Sequence, residues 1–123
     1  MSAVMLSAGA LLAISPASGV SYQVDSGIRG RVLLAPTCPV QRPGRSCTRP
    51  YQAWMTIRRE PSGAVALRVR SSPAGRFTAR LPAGGYRLQP HNARPFPRAR
   101  PQTVTVDPHR FTEVTVRFDT GIR

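Results

Sequence analysis

The 123-residue chain contains no lysine: all eighteen of its basic residues are arginine. Against them stand only five carboxylates, Asp25, Glu60, Asp107, Glu113 and Asp119, which leaves a formal charge of +13. An acidic complement this sparse removes the raw material for paired-carboxylate catalysis. Histidine is almost as scarce, and neither His91 nor His109 lies in a nucleophile motif, so no Ser/His/Asp arrangement is assembled. The patterns of phosphate-binding loops, dinucleotide folds, zinc proteases and EF-hands are missing. So is any apolar run of the ~20 residues that a bilayer-spanning helix needs. These absences point away from an enzyme, a cofactor and a metal.

The longest apolar run is AVMLSAGALLAI, residues 3–14, which has the length of a signal-peptide h-region. Behind it, SPASG offers small residues for cleavage near Ala17 or Gly19, although only the α-amino group supplies charge ahead of the run. The expected organisation is a signal peptide over residues 1–19, a linker over 20–26, one domain over 27–119 and a tail over 120–123, with no transmembrane span in the mature chain. Cysteine usage agrees with export. Cys38 and Cys47 are the only two, nine positions apart in a proline-stiffened stretch, and they are expected to pair in an oxidising compartment: periplasm, cell surface or exterior. A zinc site combining them with His91 and His109 would lack any CxxC or HxxxH spacing.

No stretch of ten or more residues past residue 19 has helical period; short alternating runs are punctuated by Pro and Gly. Seven strands are predicted. The first places Ile28, Gly30, Val32 and Leu34 on one face, and the second places Ala53, Met55 and Ile57 inward. Val65, Leu67 and Val69 alternate in the third, Phe77, Ala79 and Leu81 in the fourth, Tyr86 and Leu88 in the fifth. Val104 and Val106 mark the sixth, and Val114, Val116 and Phe118 the last. An all-β, seven-stranded two-sheet sandwich of the Ig-like or prealbumin-like kind accommodates this spacing. Ser71-Ser72-Pro73-Ala74-Gly75 is read as a turn in which Gly75 takes a positive φ. Trp54 falls on the outward register; it is expected as a packed strand tryptophan, with a partner surface or a sugar ring as alternatives. Asp25-Ser26-Gly27-Ile28-Arg29 recurs as Asp119-Thr120-Gly121-Ile122-Arg123, which five residues cannot raise to a repeat.

From Val69 to Leu88 the string VRSSPAGRFTARLPAGGYRL resembles the strand-turn-strand signature of carboxypeptidase regulatory-like domains, the transthyretin-like or prealbumin-like β-sandwiches. The opening Gly27-Ile28-Arg29-Gly30-Arg31-Val32 and the run Ala53-Trp54-Met55-Thr56-Ile57 are similar to that family's first two strands. The segment through Cys38, Cys47 and Pro50-Tyr51 resembles small exported bacterial proteins of the same type. The resemblance covers nearly all of residues 27–118 and implies a non-catalytic module that stabilises, spaces or binds. Ser72 stands where the family often has Asp, and its hydroxyl is expected to make the same local bond more weakly. Phe77 and Tyr86 are expected to plug the gap between the sheets, with the Tyr86 hydroxyl on a nearby backbone group.

Charge is the positive functional signal. Outward strand positions carry much of it, and two long loops carry Arg42, Arg45 and Arg49, and Arg94, Arg98 and Arg100. Guanidinium groups bind phosphate, sulfate and carboxylate in bidentate fashion, so these six residues are the candidate anion-binding set. The expected partners are an anionic cell-envelope polymer or lipid headgroups, or else an envelope protein. The absence of a recognition helix and of an aromatic-basic face argues against nucleic acid. Arg, Ala, Gly, Pro and Val are abundant together, as a GC-rich coding bias would also produce, so the charge count alone does not assign a role.

Overall fold

The computed structural model describes residues 24–40 and 42–122; the expected signal peptide and most of the linker lie outside them. Eight strands follow in order: β1 (Gly27–Ala35), β2 (Arg49–Pro50), β3 (Trp54–Arg59), β4 (Val65–Arg70), β5 (Arg76–Arg80), β6 (Gly84–Pro90), β7 (Gln102–Val106) and β8 (Phe111–Asp119). They form the predicted two-sheet sandwich. In the first sheet β1 is central and pairs directly with three strands: β5 along Gly27–Arg31, β2 at Leu33 and Leu34, and β8 along its whole length. The second sheet runs β4-β3-β6-β7. The pairings are antiparallel except one: β1 and β8 run parallel in unbroken register from Gly27↔Phe111 to Ala35↔Asp119. The start and end of the domain are thereby joined along nine residue pairs.

Alternation is what makes these strands half-buried. On β1 the inward Ile28 and Val32 are fully buried while Arg29 and Arg31 face water. The inner faces meet in a core whose largest fully buried side chains include Tyr86, Phe118, Ile28, Met55, Ile57 and Leu88. Gly30 belongs to the same inward row. A Cβ there would run into the Val114 carbonyl oxygen and lie 2.7 Å from that residue's Cγ2, so the position admits β8 only as glycine. At the other tight site, Gly75 has φ +77 and its amide donates to the Ser72 carbonyl, while the Ser72 hydroxyl accepts from the Arg76 amide at 3.2 Å. The hydroxyl therefore makes the local bond expected of it.

Three details depart from the sequence reading. The two-residue β2 is an addition to the seven predicted strands, pairing Leu33↔Pro50 and Leu34↔Arg49; its proline and its brevity hide it from any periodicity. Val65, expected inward, is 41% exposed. The cause is a bulge between β3 and β4: Met55 and Ile57 pair with Val69 and Leu67, but the next pair is Arg58↔Val65, which puts Val65 in register with an outward residue. Trp54 is the third correction. It is 48% exposed, facing water beside its cross-strand partner Arg70, whose guanidinium lies 5.9 Å from the ring centroid, instead of packing under a second layer.

Candidate functional site

Strand directions decide which loops share an end. The C-terminal ends of β1 and β8 coincide because the pair is parallel. Met55 of β3 pairs with Pro90, so the chain leaves β6 for the 91–101 loop at that same end of the second sheet. Direct bonds join these parts: Arg98 and Asp119 exchange backbone hydrogen bonds at 3.0 and 2.6 Å, and the Thr120 amide donates to the Ala35 carbonyl at 3.2 Å. The Thr120 hydroxyl donates to the Pro36 carbonyl at 2.7 Å. The segment after β8 is thus held between the two arginine-bearing loops.

Each loop is shaped before any ligand arrives. In the first, Cys38 and Cys47 are buried and joined as a disulfide, with Cα atoms 5.3 Å apart, so neither thiol is available to a metal. The Thr37 amide donates to the Cys47 carbonyl at 2.7 Å, and Arg42 to Arg45 close a turn through Gly44 at φ +78. In the second, Asn92 clips the loop base: its Oδ1 accepts from the Ala99 amide at 2.8 Å and its Nδ2 donates to the Ala99 carbonyl at 3.2 Å. Ala99 is buried beneath, while Arg94, Arg98 and Arg100 stay exposed.

The candidate residues divide between these loops. Arg98 and Arg100 line an open groove of about 1010 Å³ together with Asn92, Gln102, Arg117 and Asp119. Arg94 and Arg98 line an adjoining groove of about 700 Å³ that shares Asn92. Arg42 and Arg45 are exposed on the other loop and Arg49 is exposed on β2 where that loop ends, and they line neither groove. Arg117 was not among the candidates; its outward place on β8 is legible from the alternation with Val116 and Phe118, but its adjacency to the 91–101 loop is not. Asp119 is the carboxylate among the groove residues, so guanidinium groups dominate its electrostatics.

The histidines take structural positions. His91 Nε2 lies 2.6 Å from the Thr56 hydroxyl, which explains why Thr56, on an outward register, is buried. His109, at φ 60, places Nδ1 2.7 Å from the Asp25 carboxylate at the opposite end of the domain. Serine does the quieter tethering. Buried Ser71 accepts from the Ala53 amide and donates to the Tyr51 carbonyl, each at 2.8 Å, a role that its place in a predicted turn did not reveal.

No family model matches the sequence, and no curated protein matches it significantly. Among solved structures the chain is similar to GBS52, the minor pilin of Streptococcus agalactiae, at 12% identity and a TM-score of 0.58, over 95% of this chain and 51% of that one. It is also similar to the Bacillus anthracis TIE protein, at 16% identity and a TM-score of 0.50, over 95% of this chain and 20% of that one. The chain spans about half the length of the first and a fifth of the second. At these identities the likeness supports the fold alone: a two-sheet β-sandwich.

Proposed function

We propose that this chain is a non-catalytic module of an exported or surface-exposed bacterial protein, of the carboxypeptidase regulatory-like kind, that binds an anionic envelope polymer or headgroup through its arginine-rich end. The observation that carries the reading is the placement of Arg94, Arg98 and Arg100 on a clipped loop around two adjoining grooves, the larger of which is completed by Arg117. A rigid loop loses little freedom on binding, and several guanidinium groups sharing an open groove suit a chain of anions better than one small enclosed ligand. The disulfide supports an oxidising location, and the likeness to a pilin domain supports a surface role.

The test is retention on a phosphorylated or sulfated matrix, and on vesicles with anionic headgroups, across a salt series. Retention should fall steeply with salt and should fall again in an Arg94→Ser/Arg98→Ser/Arg100→Ser variant. Retention no stronger than that of a charge-matched control protein ends the proposal.

A second reading, a structural or protein-interaction module without a polyanion ligand, draws on the pilin neighbour. It expects an envelope protein partner that co-purifies at high salt. A monomer recovered alone from crosslinked cells contradicts it.

A further inference from the structure

The outer face of the first sheet carries arginines that the groove alone does not use. Cross-strand partners share a face, and on this one the rows read Thr78-Arg29-Glu113, then Arg76-Arg31-Thr115, then Leu33-Arg117. Arg29 is neutralised, with Glu113 at 3.8 Å and its guanidinium 4.9 Å from the Phe111 ring centroid. Arg31 and Arg76 are directly opposed like charges, and neither pairs with a carboxylate among the described residues. Such opposition destabilises a sheet unless an anion lies between the two groups. The next row leads to Arg117, which also lines the arginine groove at the loop end. Depressions beside Arg31 connect these rows, one bordered by Thr115 and Arg117, the other by Arg29 and Arg76; Glu113 borders both, and it is the carboxylate that Arg29 engages.

We propose that Arg76, Arg31 and Arg117 continue the groove of Arg98 and Arg100 into one track, and that its occupant is a linear phosphodiester polymer without bases, such as a polyol phosphate. This rests on the anion-binding reading and extends it. Successive outward rows on a strand are about 6.8 Å apart, twice the rise per residue, so the track offers cations at intervals that a flexible chain with one charge per repeat can follow. Each diester oxygen pair accepts a bidentate guanidinium. Duplex nucleic acid is a stiff rod carrying about one charge per 1.7 Å of axis over its two strands, and it presents paired backbones instead of a single flexible line of charges. Single strands are held by successive bases stacked on several rings; along this track the exposed ring is Phe96 alone, in the loop groove with Gly121 packed against it, while Phe111 is already covered by Arg29 and Arg80 and Trp54 lies on the other sheet.

The experiment measures binding of poly(glycerol phosphate) fragments of increasing length to the full chain across a salt series. It compares Arg31→Thr/Arg76→Thr, Arg31→Thr alone, and the Arg94, Arg98 and Arg100 serine variant. The wild-type protein should bind longer fragments more tightly until the track is filled. The paired face variant should lose roughly tenfold on long fragments and little on the shortest, with a salt slope shallower by about one per arginine removed. Its thermal midpoint without ligand should equal or exceed that of wild type, because the opposed charges are gone, which separates lost binding from lost folding. If the face variants bind like wild type while the loop variant does not, the track is wrong and the groove stands. If no variant differs from wild type, or wild type does not bind, the anion-binding reading falls as well. Tighter binding of a sulfated glycan or an oligonucleotide of equal charge overturns the ligand class.

Discussion

The Tyr86 hydroxyl donates to the carbonyl of Pro82, four residues earlier, at 2.6 Å. The ring is buried between the sheets and its oxygen closes the turn that leads into its own strand, so one side chain both fills the core and fixes a corner. Tyr86→Phe keeps the ring and deletes the bond. It should lower stability by about 1 kcal/mol, and the melting midpoint by roughly 4 to 8 °C, with the circular dichroism of the native state unchanged. An unaltered midpoint would show that the hydroxyl contributes nothing net.

Cys38 and Cys47 enclose a loop of about ten residues, for which chain entropy gives about 2.5 to 3 kcal/mol. Cys38→Ser/Cys47→Ser should lose about that amount in denaturant unfolding. Because β1 and β5 do not depend on the clasp, the variant should retain the sandwich, and its amide exchange should rise chiefly over residues 36–50.

Asp25 and His109 join the lead-in of β1 to the turn before β8. The hydrogen bond that His109 donates to Asp25, and then the carboxylate's charge, raises the His109 pKa above the ordinary 6.5. The hydrogen bond from His109 lowers the Asp25 pKa below 3.8. The histidine contribution is complete below pH 6.5 and fades as pH rises through the raised folded value. The aspartate contribution is complete above pH 3.8 and fades as pH falls through the depressed folded value. The link is therefore strongest between those two ordinary values. An NMR titration of His109 should give a midpoint above 6.5 that returns toward it in Asp25→Asn, and added salt should shrink the difference.

Gly30→Ala tests the contact between the two ends of the chain. A methyl group at this position meets the Val114 backbone, which cannot swing aside as a side-chain tip would. The substitution should cost roughly 1 to 3 kcal/mol and raise amide exchange along β8, and wild-type stability would refute the packing argument.

Much of this molecule is written in local alternation. Ile28 and Val32, Met55 and Ile57, Tyr86 and Leu88, and Val116 and Phe118 are all inward in the sequence pattern and all buried in the fold. That works because a pleated strand turns successive side chains to opposite faces, so a period of two records the core directly. Val65 escapes the rule because a bulge is a property of the pair β3-β4, and neither strand signals it alone. Trp54 obeys the alternation, but its exposure is not written there, because whether an outward residue is covered depends on whether anything is laid over that face. The arginine loops were legible as loops from Pro and Gly, and their charge from composition.

By itself, then, the sequence determined the sandwich class, the inward rows and the cystine clasp, since each follows from residues near one another along the chain. Only the tertiary structure decided that β8 lies parallel to β1, that Arg117 meets the 91–101 loop, and that Arg31 opposes Arg76. Those juxtapositions join residues far apart in the chain, and they are settled by which sheet edges close most apolar surface from water, a property of the whole set of strands at once.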